Sequence, residues 1–232
     1  LVGYPHFDFF VKKEFIISSE SVLAGLGIPK QSPYMLYISG TAYCPDESDI
    51  IQEILARADQ GRFEHDIRVV VRPYPGARAR DVYSEREKFG KFESHPRIIF
   101  YKNEIWEELE KSVFFLNIMR HADAIVAVYS TAMLEAAVLD RPLIGIGFDG
   151  YETRPLKKSI RRFQMREHFK DILRSNCIRI AGNFDELFSF LDGYFENPQK
   201  DAEKRALLRE KFCGMLDGSV SERIAEHIMH GL

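Results

Sequence analysis

Residues 124–150 read AIVAVYSTAMLEAAVLDRPLIGIGFDG. Two short apolar runs, 124–129 and 143–148, are bounded by turn-forming residues and have the length of strands. Neither alternates apolar with polar, so each is the kind of strand that is covered on both faces, as in a parallel sheet. Between them, residues 131–139 make a helical stretch in which every residue from Ala132 to Leu139 except Glu135 is apolar. Strand, helix and strand in this order form one crossover unit.

The same alternation extends outward in both directions. Further strands are expected at 34–39 (YMLYIS), 67–72 (IRVVVR), 98–101 (IIFY) and 177–181 (CIRIA), and further helices at 19–26, 46–58, 104–120, 184–195, 201–215 and 221–230. Gly27 with Pro29 closes the first helix, Pro45-Asp46-Glu47 opens the second, and Ser219 with Glu222 has the spacing of a capping box. The pattern predicts an α/β protein: a Rossmann-like, mostly parallel sheet with helices on both faces. Residues 1–30 read as a linker and first helix, 31–198 as the Rossmann-like unit, and 199–232 as C-terminal helices. Residues 1–15 are expected to be poorly anchored.

Composition sets the outer limits. With 232 residues, 45% hydrophobic and 29% charged, the chain can bury one sizeable core. A net charge of -3 exerts no global pull on nucleic acid, so no such partner is expected. Cys44, Cys177 and Cys213 are widely spaced, which argues against a disulfide framework or a zinc site and suits a reducing, cytoplasmic compartment. No apolar run approaches the roughly 18 residues of a membrane span. One local bias stands out, in 154–170: Arg154, Lys157, Lys158, Arg161, Arg162, Arg166 and Lys170 face only Glu152 and Glu167 there and next to it.

In an open parallel sheet, ligands bind beyond the carboxyl ends of the strands, where helices begin. Ser130 and Thr131 fall at such a turn, where hydroxyls and amides could hold a phosphate. Glu135, four residues on, lies on the same helix face about one pitch (~5.4 Å) away. A carboxylate there can accept hydrogen bonds from both hydroxyls of a ribose. The competing reading makes Ser130 or Thr131 a helix cap and Glu135 a solvated edge residue. Arg72, ending the strand in VVVRPYP, could meet a ligand phosphate or pair with a loop carboxylate. Gly40, after the first strand, lets backbone approach a ligand or is an ordinary turn glycine. Arg161 and Arg162 are candidates for contact with an anionic acceptor or a membrane surface, or belong to a solvated helical face. Asp46, Glu47 and Asp49 sit where acids favour a helix start, so no metal and no cofactor is expected.

STAMLEAAVLDRPLIGIGFD resembles the donor-binding segment in the C-terminal domain of GT-B fold glycosyltransferases and CDP-glycerol glycerophosphotransferase-like enzymes of surface polysaccharide synthesis. VGYPHFD at the start is similar to the interdomain VTGNPRFD-type segment of that group, departing from it at Tyr4 and His6. LGIPKQSPYMLYIS resembles the start of the second Rossmann-like domain, and HFKDIL, CIRIAGNFDELFSFLDGYFENP and LDGSVSERIAEHI its closing elements; VRPYP has Tyr74 where relatives carry His. The resemblance implies the donor-binding half of a transferase that moves a sugar or glycerol phosphate from an activated nucleotide to a surface polysaccharide or glycolipid acceptor. It implies His168, in REHF, as a further donor contact, and an N-terminal domain of the same polypeptide as partner. It also implies a cytoplasmic site of action, peripheral to the inner membrane face, and no turnover without the N-terminal half. Two other readings remain open at this point: a UDP-N-acetylglucosamine 2-epimerase-like enzyme and a non-catalytic nucleotide-binding scaffold.

Overall fold

The computed structural model describes residues 3–40, 44–74, 87–102 and 109–230. Within them, six strands form one sheet, in which every neighbouring pair is parallel. The strands are β1 (Tyr34–Ile38), β2 (Arg68–Arg72), β3 (Ile98–Phe100), β4 (Ala124–Ala127), β5 (Leu143–Ile146) and β6 (Arg179–Ala181). Their spatial order is β3-β2-β1-β4-β5-β6. The direction in which the chain adds strands to the sheet therefore reverses between β1 and β4, the place where doubly wound folds open a crevice. Ile38 stands opposite Arg72 on one side and Ala127 on the other, so β1, β2 and β4 finish level.

Besides a single α-helical turn at Asp8–Val11, the helices are α1 (Ser19–Leu26), α2 (Glu47–Asp59), α3 (Leu109–His121), α4 (Ala132–Val138), α5 (Glu167–Arg174), α6 (Phe184–Glu196), α7 (Ala202–Phe212) and α8 (Val220–His230). Right-handed crossovers put α2 on one face of the sheet and α4 on the other. Arg57 of α2 reaches Asp192 of α6 at 2.6 Å, which ties those two helices together on their face. On the opposite face α3 packs on α1, and α4 on α7. This double cover explains the unbroken apolar strands: Tyr34, Met35, Leu36 and Tyr37 are each at most 1% exposed. The buried Tyr34 hydroxyl donates to the Ile118 carbonyl at 2.7 Å, so the aromatic core carries no orphaned donor there.

The expectation that residues 1–15 are loosely held is corrected. Phe7, Asp8 and Phe10 are buried. Polar side chains of α3 hold the segment by its backbone: Arg120 donates to the Phe10 carbonyl at 2.7 Å, and Asn117 donates to the Phe15 carbonyl at 2.7 Å. Asn117 also accepts from the Ile17 amide at 2.9 Å, and His121 meets the Ile17 carbonyl at 2.7 Å. A linker-like sequence is thus fixed by donors that lie a hundred residues away.

The expected Ser219–Glu222 capping box is also replaced. Asp8 caps α8 from across the chain, accepting from Val220 N at 3.1 Å and Ser221 N at 2.7 Å. Gly3 lies against the same turn with φ of 93°, and a Cβ there would come within 2.9 Å of Val220. The basic run 154–170 forms short 3-10 turns, Leu156–Lys158 and Ile160–Met165, before α5 begins. At the other end, α7 docks through Arg205, whose Nε donates to Asp140 at 2.8 Å and whose Nη1 donates to the Lys200 carbonyl at 2.7 Å.

Candidate functional site

A cleft of about 670 Å³ opens at the β1–β4 switch point. Its polar wall is made by Ser39, Arg72, Ser130, Thr131 and Glu135, and its apolar wall includes Phe10, Ile38, Phe115, Leu116 and Met119. Four of the predicted residues, Arg72, Ser130, Thr131 and Glu135, therefore come together in one place although β2 and α4 are some sixty residues apart in the chain. Level strand ends make this happen: Arg72 closes β2 beside Ile38, and Ser130 follows β4 on the other side.

The two hydroxyls are not spent on capping. Thr131 occupies the N-cap of α4 without a side-chain hydrogen bond. The Ser130 hydroxyl is buried and has no partner, and so is Arg72 Nε. Burying such atoms unpaired costs about 1–3 kcal/mol each, and although other arginine Nε atoms are also unpartnered, these two belong to residues that line one cleft, where a ligand can satisfy them. The Arg72 guanidinium lies over the Phe115 ring, 4.4 Å from its centroid, and among the described residues it pairs with no carboxylate. Burial pulls its pKa down, while the charges of Glu135, Tyr101 and Tyr74 act the other way. This is a preorganised cation facing an opening.

Glu135 is not a solvated edge residue: its side chain is 15% exposed, and Oε1 accepts a hydrogen bond from His6 Nε2 at 3.3 Å. Apolar neighbours on α4 force this, since Ala132, Met133, Ala136 and Ala137 take the core-facing stripe and leave Glu135 on the cleft side.

The remaining candidates lie elsewhere. Gly40 is buried and does not line the cleft; a Cβ there would fall 2.8 Å from Val128 and 2.9 Å from Cys44, so the space left by its missing side chain is filled by protein. Arg161 and Arg162 stand on the loop after β5 and do not line the cleft. Arg161 donates to Ser159 Oγ at 2.9 Å and to the Arg154 carbonyl at 2.7 Å, and lies 3.6 Å from the buried Asp149. Arg162 donates to the Lys157 carbonyl at 2.7 Å and covers Phe163. His168 falls within α5, and its side chain is outside the described residues.

One constellation escaped the sequence reading. Glu47, read as a helix-start acid, is 2% exposed and forms an ion pair with the equally buried Lys88 at 2.8 Å. Glu47 also accepts from Tyr37 OH at 3.2 Å, Ser39 Oγ at 3.2 Å and Gly40 N at 2.8 Å, which locks the turn after β1. The apolar context of Glu47 among Ile50, Ile51 and Ile54 was the only signal available. Among the described residues no three His, Cys, Asp or Glu side chains gather as a metal set.

This architecture and cleft can be compared with known proteins. The family model described as CDP-Glycerol:Poly(glycerophosphate) glycerophosphotransferase matches residues 1–230. The chain belongs to this family. Comparison with curated proteins finds no match. Among solved structures, the wall teichoic acid polymerase TagF superposes with a TM-score of 0.62 at 14% identity, over 100% of this chain and 52% of that one. TagF soaked with CDPG gives 0.59 at 17% identity, over 99% of this chain and 50% of that one. The UDP-GlcNAc 2-epimerase of Methanocaldococcus jannaschii, in complex with UDP-GlcNAc and UDP, gives 0.58 at 15% identity, over 100% of this chain and 54% of that one. At such identities the likeness is one of fold, and this chain spans about half the length of these structures. The epimerase reading thus keeps a shared fold, while membership goes to the transferase family.

Proposed function

We propose that this glycerophosphotransferase-family chain is the donor-binding half of a transferase that moves glycerol phosphate, or a sugar, from an activated nucleotide to a surface-polymer acceptor. The observation that carries the reading is the pair of unsatisfied, buried polar atoms in one cleft, Arg72 Nε and Ser130 Oγ, beside the Glu135 carboxylate. A diphosphate set between Arg72 and the Ser130 and Thr131 hydroxyls satisfies the first two. The ribose hydroxyls of the same nucleotide then reach Glu135, and its base turns toward the apolar wall.

For a glycerol-phosphate donor, an acceptor hydroxyl attacks the phosphorus next to glycerol. A new P–O bond forms to the acceptor, the bond to the nucleotide phosphate breaks, and the nucleoside monophosphate leaves with the electron pair. Charge grows on the leaving phosphate, and Arg72 with the Ser130 hydroxyl is placed to stabilise it. The acceptor's proton passes to a base supplied by the N-terminal domain that the family architecture implies. The basic segment 154–170 is the reading for an anionic acceptor or membrane surface. Its probe is Arg162, whose guanidinium donates to the Lys157 carbonyl and covers Phe163. Among the described residues no helix is long and apolar enough to cross a membrane. Cys44, Cys177 and Cys213 are buried outside any disulfide, in keeping with the cytoplasmic side of a membrane, where we place the reaction.

The test is calorimetric titration of the chain with CDP, UDP and the corresponding nucleosides. Wild type binds at least one diphosphate more tightly than its nucleoside. Arg72→Ala removes most of that difference and leaves nucleoside binding unchanged. Equal loss of both ligands would sink the assignment. In an enzyme carrying both halves, Arg162→Glu weakens use of a polyanionic acceptor while donor binding persists.

A further inference from the structure

Glu135 is met in the cleft by a residue from outside the sheet. His6 follows Pro5 in the short 3-10 turn Pro5–Phe7, and its Nε2 stands 3.3 Å from Glu135 Oε1 across 129 positions of sequence. The imidazole packs edge-on against the buried Phe10, with 5.1 Å between centroids, and lies 5.9 Å from Phe7. His6, Phe9 and Phe10 all line the cleft. The stretch that reads as a linker therefore forms one of its walls. The charged groups that face this pair are Glu135 from α4 and, from the end of β2, Arg72, whose guanidinium feels the Glu135 charge. Asp8 is turned away, onto Val220 and Ser221.

A free glutamate must lose side-chain freedom before it can accept two hydroxyls in a fixed geometry. A donor already holding one oxygen removes part of that loss. We propose that His6 is a positioning residue for nucleotide recognition: it holds Oε1 of Glu135 and leaves Oε2 presented to the ribose. The inference rests on the reading of Glu135 as the ribose acceptor. His6 is 55% exposed, so its role is not that of a core residue. The hydrogen bond to Glu135 raises its pKa, burial opposes this, and the Glu135 charge adds to the rise. The charge-assisted form of the contact is present below that raised pKa and weakens as pH climbs through it.

The experiment measures the affinity ratio of CDP to 2'-deoxy-CDP on the whole chain by calorimetry, from about pH 6 to about pH 9, a range that spans the ordinary histidine value. Phosphate ionisation affects both ligands alike and cancels in the ratio. Wild type prefers CDP, and its preference shrinks as pH rises. His6→Ala narrows the ratio at pH 6 by about threefold to tenfold. His6→Gln, which keeps a donor but does not titrate, restores the preference and makes it flat with pH. A ratio in His6→Ala equal to wild type overturns the proposal, and so does an equal loss of both ligands, which would make His6 only a wall. If Glu135→Ala erases the preference while His6→Ala keeps it, the His6 proposal alone fails. If Glu135→Ala also keeps it, the ribose reading fails and takes the proposal with it.

Discussion

Ser130 and Thr131 show how a hydroxyl at a helix start can be told from a cap. A cap stabilises the free protein by about 1 kcal/mol, and its loss is felt in folding. Here neither side chain makes that bond, so Ser130→Ala should leave the urea midpoint of the free chain unchanged or slightly higher, while diphosphate affinity falls in titration. A lowered midpoint would reassign Ser130 to structure. Glu135→Ala should cost roughly tenfold to a hundredfold in ribonucleotide affinity, the equivalent of a charge-assisted bond worth about 1.5–3 kcal/mol. The same change should spare the 2'-deoxy ligand in part, which a calorimetric comparison of the two would show. Lys88 behaves in the opposite way. Removing it strands the buried Glu47 carboxylate, so Lys88→Met should destabilise the chain by about 3–5 kcal/mol in urea denaturation, without any ligand present. Ser130, Thr131, Glu135 and Arg72 were legible because strand ends and helix faces follow from periodicity. Glu47–Lys88 was not, because a buried pair depends on which distant segment packs against the helix start, and no spacing in the sequence encodes that.

Elements with an apolar period announced themselves, and those held by polar contacts did not. The six strands and the helices on either side of β4 follow from runs that only a doubly covered sheet can bury. The start of α8 was legible to within a residue but its cap was not: Ser219 has the right neighbours for a local cap, whereas the actual cap, Asp8, lies 213 residues from Ser221. Residues 3–15 looked unanchored for the same reason: their partners are Asn117, Arg120 and His121 of α3. Burial raises the Asp8 pKa, but the hydrogen bonds from Ser221 and Val220 outweigh it, and the carboxyl ends below its usual value. The sign follows directly. The charged cap stabilises the fold at and above the ordinary aspartate pKa of about 3.9, and that contribution is lost as pH falls through the lowered native value. Asp8→Ala should therefore cost about 0.5–2 kcal/mol at neutral pH. The gap to wild type should close at strongly acid pH, which urea titrations at both ends would reveal.

As a whole, the molecule is a sheet with a cleft at the point where its strand order reverses and a first segment that returns to seal one side of that cleft. A nucleotide present at 100 times its dissociation constant should raise stability by roughly 2.7 kcal/mol, visible as a thermal shift. Since the chain spans about half the length of the TagF structures, we expect the 232 residues to bind donor and release no nucleoside monophosphate on their own, a point that chromatography of a CDP-glycerol incubation decides. The clasp between Asp8 and α8 has a kinetic consequence. Closing a loop of 213 residues costs entropy on the order of 5 kcal/mol, so this contact should form after the folding barrier is crossed. Asp8→Ala should then accelerate unfolding in stopped-flow chevrons and leave the refolding limb where it was. His6 lies two residues before Asp8, so the wall it adds to the cleft should be among the last parts of the molecule to assemble and the first to open.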